Sequence, residues 1–320
     1  MPKILLVKTS SMGDVIHNLP AATDICRHVA DARIDWVVEE GFAGIPALHP
    51  GVARVIPVAV RRWRKTPFSR AVVSEILAFG RRLRQERYDC VLDTQGLIKS
   101  ALVARWARGE RCGYAWGSAR EPLASLFYDK RLAVPRNLHA VERNRLLAAR
   151  TFGYEPAKRV DYGIRAPALE LRWLPPRPYA VLLHATSRSD KEWAEPNWTG
   201  LARHLAAMGL ASVLPWGGEG ERDRSRRLAQ GMGDAVVPPA LALGEVAALL
   251  AGARVAVGVD TGITHLAAAL NVPVVAIYCA SEPALTGVYT GGPGRNLGGA
   301  HGPPPLAAVI AAVAEVTAHD

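Results

Sequence analysis

The chain lacks the signatures by which the commonest α/β enzymes are recognised. No Gly-x-Gly-x-x-Gly follows the first apolar run and no Gly-x-x-x-x-Gly-Lys-Ser/Thr occurs, so nicotinamide dehydrogenases and P-loop nucleotidases lose their main support. A Gly-x-Ser-x-Gly elbow is missing too, which argues against an α/β-hydrolase. No two aspartates are spaced Asp-x-Asp, leaving no obvious paired-carboxylate seat for a magnesium–diphosphate complex. The four cysteines, at 26, 90, 112 and 279, are scattered without a Cys-x-x-Cys pair. Idle thiols in a reducing compartment explain that better than a zinc site. The first apolar run covers only residues 4–7 before Lys8 ends it, too short for a signal-peptide core. The longest uncharged stretch, between Asp260 and Glu282, is about the length of a membrane span. Thr261, Gly262, Thr264, His265, Asn271 and Pro273 divide it into a helix and a strand, so a cytoplasmic globular protein is expected.

What is present fits a packed chain. Hydrophobic residues make up 49% and charged residues 21%, with 29 Gly and 23 Pro as punctuation, which excludes disordered, collagenous and disulfide-stapled classes. Three hundred and twenty residues, at about 150 per domain, suggest two domains. The net charge of +10 is unevenly placed. Residues 1–168 hold 28 Lys and Arg against 16 Asp and Glu; residues 169–320 hold 11 against 13. A basic half suits an anionic partner such as a nucleic acid, a membrane surface or a phosphorylated substrate, with solubility alone as the plainer explanation.

Short β-branched runs alternate with helical patterns, twice over. Strands are expected at 3–7, 34–38, 55–58 and 90–92, with helices near 15–29, 70–87 and 97–107. Their apolar runs are continuous, the mark of parallel strands buried on both faces. The proline-rich segment 171–179 (LRWLPPRPY) interrupts the pattern and sets the expected boundary between domains 1–170 and 171–320. Beyond it strands are expected at 180–183, 212–214, 235–237, 255–259 and 274–277, and helices at 197–208, 219–230, 243–251 and 263–270. Each half reads as a Rossmann-like, doubly wound α/β unit, with a ligand cleft expected between the two.

Four segments carry chemistry. Lys8-Thr9-Ser10-Ser11-Met12-Gly13-Asp14 follows the first strand, where loops of an open α/β sheet enter the ligand crevice. Asp14 suits either a helix cap or a catalytic carboxylate. The turn around Asp260-Thr261-Gly262, leading to His265, offers backbone N–H groups at a helix start for phosphate, although a routine βα loop looks similar. Thr186, Ser187 and Lys191, after the first strand of the second half, combine hydroxyls with a cation able to bind a diphosphate without metal. Arg61-Arg62-Trp63-Arg64-Lys65 could grip phosphates or carboxylates, or stack single-stranded bases, or be a solvated loop.

Together these segments resemble the lipopolysaccharide heptosyltransferases. The carrying residues are KTSSMGDVIHNLPA (8–21), DWVVEEGF (35–42), VIPVAVRRWRK (55–65), REPLASLFY (120–128), HATSRSDKEW (184–193), LPWG (214–217) and VDTGITHLAAAL (259–270). SMGD and DTGxxHLxAAL mark the wider family, while RRWRK and REPLASLFY point to the enzyme that adds the first inner-core heptose. The resemblance implies a GT-B architecture whose last helix crosses back to the first domain. It implies an inverting, metal-independent glycosyltransferase without cofactor, moving L-glycero-D-manno-heptose from ADP-heptose to the Kdo of Kdo-lipid A. Work on that acceptor would place the protein peripherally on the inner membrane. By position, Asp14 would be the base, with Lys191 sharing in catalysis. Thr186, Ser187, Lys191, Glu221, Asp260, Thr261, Gly262 and His265 would line the donor pocket; Ser10, Ser11, Arg61, Arg62, Arg64, Lys65 and Arg120 would contact the acceptor. Ser187 stands where the family pattern has Thr, a change that keeps the hydroxyl. The rival readings are another heptosyltransferase with a different acceptor, and a nucleic-acid-binding protein, which basic charge alone supports only as nonspecific binding.

Overall fold

The computed structural model describes residues 1–186 and 188–318, in two units, Met1–Gly163 and Ile164–Asp320. The segment after Gly163 belongs to the second unit, where Pro167 lies beside Gly244.

The first unit runs β1 (Lys3–Val7), α1 (Met12–Ile16), α2 (Leu19–His28), β2 (Arg33–Glu39), α3 (Gly44–Ala47), β3 (Val52–Val58), α4 (Val60–Trp63), α5 (Arg70–Arg84), β4 (Arg87–Asp93), α6 (Ile98–Trp106), β5 (Arg108–Tyr114), β6 (Lys130–Leu132) and α7 (Ala140–Phe152). The second runs β7 (Tyr179–Leu183), α8 (Glu195–Ala207), β8 (Ala211–Val213), α9 (Glu219–Gln230), β9 (Ala235–Val236), α10 (Leu243–Ala251), β10 (Val255–Val259), α11 (Gly262–Ala269), β11 (Val274–Tyr278), β12 (Gly294–Gly298) and α12 (Leu306–Thr317). The sheets are ordered β3-β2-β1-β4-β5-β6 and β12-β11-β10-β7-β8-β9. All named strand pairs are parallel. The fold is therefore α/β, one doubly wound Rossmann-like sheet per unit. In each sheet the order reverses beside the first strand, between β1 and β4 and between β7 and β10.

The continuous apolar strands are the buried centres of these sheets. Ile4, Leu5, Leu6 and Val7 are inaccessible to solvent, as are Val255, Ala256, Val257 and Val259. Phe79 and Leu83 of α5 and Val103 and Ala104 of α6 cover one face of the first sheet together with Leu5, Val7 and Val91. The second core holds Trp193 against Trp198, edge to face with centroids 5.2 Å apart.

Several elements depart from the sequence reading. The expected helix over 15–29 is two helices, broken at His17 and Asn18, with Pro20 in the first turn of α2, where its missing N–H does no harm. Strands β5, β6 and β12 (RGERCGY, KRL and GRNLG) were not foreseen: they lie at or next to sheet edges and carry no continuous apolar run. Helix α7 was also missed. Its buried Arg145 pairs with the buried Asp24 of α2 at 2.6 Å, so part of its core face is charged. The last helix, α12, places Val309, Val313 and Val316 in the second unit's core.

Close packing under the β10 turn depends on Gly258. A Cβ there would lie 2.2 Å from Thr264 Oγ1 and 2.9 Å from Leu183 Cβ. Thr264 is held in that place by donating to Val259 O at 2.7 Å. Gly258→Ala should therefore destabilise the protein by about 1–3 kcal/mol. A thermal melt unchanged from wild type would contradict this.

Candidate active site

The reversal beside each first strand leaves a gap at the carboxyl ends of the strands, and that is where open α/β sheets hold ligands. Both gaps are lined by residues singled out in the sequence.

In the first unit the chain leaves β1 at Lys8 and enters α1 through its N-cap, Ser11. Asp14 is the third residue of that helix, not its cap. Its Oδ2 accepts from Ser11 N at 2.8 Å and from Ser11 Oγ at 3.2 Å, and lies 3.5 Å from Arg120 Nη1. Capping and chemistry therefore do not exclude each other, because these contacts all fall on one oxygen. Arg120 is brought to Asp14 by the 115–121 turn, whose Glu121 N–H donates to Gly96 O at 3.0 Å.

The loop is held from below by residues the sequence reading did not name. Gln95, just past β4, accepts from Thr9 N and Thr9 Oγ1 at 2.7 and 2.8 Å and donates to Ser10 O at 2.7 Å. Lys99 donates to Ser10 Oγ at 2.9 Å. Asp93, wholly buried, anchors this second loop: it accepts from Tyr128 Oη and Ser100 Oγ, each at 2.7 Å, and from Gln95 N at 2.8 Å. Burial pushes its carboxyl up despite these donors. Lys8 is buried and donates to Thr94 O at 2.9 Å and Asn144 Oδ1 at 3.4 Å. Burial brings its ammonium down to about 8, although the Asp14 charge opposes that. The signal for all this was the position of DTQGLIKS immediately after the fourth strand, facing the reversal.

The basic segment is not uniformly available. Arg62 is bound to Glu40 at 3.1 Å and to Glu75 at 2.9 Å, and Trp63 Nε1 donates to Glu75 Oε2 at 2.8 Å. Arg61 lies over the Phe42 ring at 4.8 Å, with its backbone N–H donating to Glu39 Oε1. Arg64 and Lys65 are exposed. Arg62 is thus a brace for α4, and its neighbours carry the outward charge.

In the second unit Asp260 gathers the loops after β7, β10 and β11. Its Oδ2 receives Lys191 Nζ at 2.6 Å and Ser281 Oγ at 2.7 Å; His265 Nε2 is 3.8 Å from Oδ1, and Thr186 Oγ1 donates to Asp260 O at 3.4 Å. Burial would raise this carboxyl, but hydrogen bonds from His265, Lys191 and Ser281 outweigh it and hold the pKa far below the usual range. Thr261 is the N-cap of α11 and Gly262 its first residue, so free N–H groups of the helix start lie beside the Asp260–Lys191 pair. Ser281 was not foreseen; the serine follows β11 in a stretch with no other mark. Glu221 stands apart from this cluster, its Oε2 accepting from Gly217 N at 2.7 Å at the start of α9. Ser187 lies outside the described residues.

This arrangement offers, in the second unit, a fixed cation beside a helix start, and in the first a braced carboxylate among cations. Comparison with known proteins agrees in kind. The family model described as glycosyltransferase family 9 (heptosyltransferase) matches residues 76–295. Lipopolysaccharide heptosyltransferase 1 of Salmonella typhimurium is 49% identical over 289 residues, spanning 90% of this chain and 91% of that protein. The structure of Escherichia coli heptosyltransferase WaaC with ADP superimposes with a TM-score of 0.86 at 46% identity, over 93% of this chain and 94% of that one. A second structure, with ADP-2-deoxy-2-fluoro heptose, gives 0.84 at 44% identity, with 93% and 94% covered.

His184, which opens the Thr186 loop, gives the unit a pH limit. It is wholly buried, bonded to Ser225 Oγ at 2.8 Å, and burial together with Arg224 and Arg227 lowers its pKa from 6.5 to about 4. The unfolded chain thus binds the extra proton first. Stability is complete above pH 6.5 and falls as pH drops toward 4, by about 3 kcal/mol. Chemical denaturation of wild type and His184→Gln across that window should show the wild type losing more; parallel curves would refute this.

Proposed function

Since the chain belongs to glycosyltransferase family 9, we propose that it transfers L-glycero-D-manno-heptose from ADP-heptose to a Kdo hydroxyl of Kdo-lipid A in building the lipopolysaccharide inner core. The carrying observation is that the likeness to heptosyltransferase 1 runs through both units, so the acceptor-side and donor-side motifs occur together. The nearly neutral second unit takes the nucleotide sugar, and the basic first unit takes an acceptor rich in phosphate and carboxylate. Such an acceptor puts the enzyme to work at the cytoplasmic face of the inner membrane. The proposed association is peripheral; among the described residues, no helix is long and apolar enough to cross a bilayer.

In the proposed reaction the acceptor hydroxyl attacks the anomeric carbon from the face opposite the leaving group. The new C–O bond forms as the bond to ADP breaks, inverting the centre. The hydroxyl proton goes to Asp14, whose Ser11 and Arg120 contacts fix Oδ2 and leave Oδ1 for it. The bonding electrons leave on the diphosphate. Lys191, positioned by Asp260, and the N–H groups at Gly262 meet that growing negative charge and perform the task a metal ion serves elsewhere. Thr186, Ser187, Thr261 and His265 complete the donor contacts. Glu221, bound to Gly217, shapes the LPWG turn on which the nucleotide rests. Ser10, Ser11, Arg61, Arg64, Lys65 and Arg120 hold the acceptor, and Arg62 keeps its neighbours in place.

Mass spectrometry of products from ADP-heptose and Kdo-lipid A should show one added heptose, with or without excess EDTA. No product sinks the assignment; product that requires added magnesium or manganese sinks the metal-free mechanism. Asp14→Asn keeps an acceptor for Ser11 but cannot take a proton. It should fold, bind ADP-heptose normally by calorimetry, and lose about 100-fold or more in kcat. Near wild-type turnover would make Asp14 only a brace for α1.

The basic segment should divide in function. Arg64→Ala with Lys65→Ala is expected to raise the acceptor KM by about tenfold, more at low salt, with the donor KM unchanged. Arg62→Ala should instead lower the melting temperature of the first unit. Equal effects on both substrates would move the acceptor site elsewhere.

A further inference from the structure

Exposed apolar side chains are concentrated on one surface of the first unit. Eleven large hydrophobics are exposed among the described residues, and six of them are Phe68, Val73, Leu77, Leu102, Leu123 and Leu126. These belong to the layer that covers one face of the first sheet. Val73 and Leu77 lie one turn apart on α5, and Leu102 is on the outer side of α6. Leu123 and Leu126 come from the short 3-10 helix Pro122–Phe127, which packs on α6 through Ala124 and Ala101. Phe68 stands just before α5 and is 95% exposed; Leu77 and Leu126 are 57% and 58% exposed. The opposite sides of the same helices carry the core residues Phe79, Leu83, Val103 and Ala104, so the outer apolar stripe is not needed for folding.

The stripe is framed in positive charge. Arg70, Arg81 and Arg84 extend the Val73–Leu77 line at helical spacing, and Arg105 follows Leu102 by one turn. Helix α5 holds four arginines and a single glutamate, and that Glu75 is already engaged by Arg62 and Trp63. Among the described residues Arg70, Arg81 and Arg84 have no carboxylate partner. Scattered exposed leucines need no explanation, but a contiguous set inside a basic frame does. A second copy of this chain would bring the same positive frame against it, and like charges would oppose the contact. A surface with an anionic plane above an apolar layer satisfies both parts.

We infer that the outer surface of α5, α6 and the Pro122–Phe127 helix docks on an anionic phospholipid bilayer, with Phe68, Val73, Leu77, Leu102, Leu123 and Leu126 entering the acyl boundary and the arginines meeting the lipid phosphates. This deepens the proposed peripheral association and rests on the lipid-linked acceptor. Apolar burial supplies the hold, and the arginines supply attraction that salt screens.

Flotation of the purified full chain with vesicles tests it. Wild type should float with phosphatidylglycerol–phosphatidylethanolamine vesicles, less so at high salt, and not with phosphatidylcholine vesicles. Phe68→Ser/Leu77→Ser/Leu126→Ser should reduce partitioning by about tenfold or more, as should Arg70→Gln/Arg81→Gln/Arg84→Gln. Both variants should keep wild-type turnover on an acyl-free Kdo acceptor in solution and lose it on acceptor embedded in vesicles. The proposal is overturned if wild type does not float, or if either variant floats as well as wild type. It is equally overturned if the substitutions abolish a dimer in sedimentation and leave flotation unchanged. Flotation by wild type with no transfer to the soluble acceptor would keep the surface and overturn the acceptor assignment.

Discussion

A parallel sheet whose strand order reverses beside its first strand sends the neighbouring crossovers to opposite faces, and this leaves the strand ends uncovered at one place. The protein has this constraint twice, between β1 and β4 and between β7 and β10. Lys8 to Asp14 and Asp93 to Lys99 meet at the first opening; Thr186 and Lys191 meet Asp260 at the second. Asp14, Lys191 and most other side chains given a chemical role are on one of these loops or braced against one, whereas Arg61, Arg64 and Lys65 follow β3 and Glu221 lies at the start of α9. The central strands β1, β7 and β10 are apolar and buried, so they can be rigid without taking part.

Rigidity at both openings comes from polar groups, buried at Asp93 and Gln95 and half-buried at Asp260, that each meet several partners. Asp93 accepts three short hydrogen bonds from three different places in the chain, and Gln95 converts that anchorage into a grip on Thr9 and Ser10. Asp260 plays the same part in the second unit, where Lys191 and Ser281 converge on a single carboxylate oxygen. A lysine left alone on an exposed loop would sample many positions. Held by Asp260, it keeps its charge near the start of α11.

The two faces of the helical layer do different work. The inner face of α5 and α6 completes the core of the first sheet, and the outer face carries surplus apolar area within a frame of arginine. This explains why the positive charge excess lies in the first half of the chain. Part of it surrounds Asp14, and part lies on the outer surface of α5 and α6.

The sequence by itself determined the class of fold, because continuous apolar runs of strand length can only be buried on both faces. It also singled out the loops that line the two openings: KTSSMGD and DTG follow strands directly, and their small and polar residues have local reasons to be there. Its local patterns missed β5, β6 and β12, since edge strands are not required to be apolar, and α7, whose core face includes an arginine neutralised from α2. Tertiary structure alone decided which charges are free. Arg62 resembles its neighbours in the sequence, yet Glu40 and Glu75, from distant positions, hold it in place. Ser281 and Gln95 carry no mark of their own; they matter because the chain brings them within 2.7 Å of Asp260 and Ser10. Residue type and local spacing are written along the chain, whereas partnership between groups depends on distances that only folding sets.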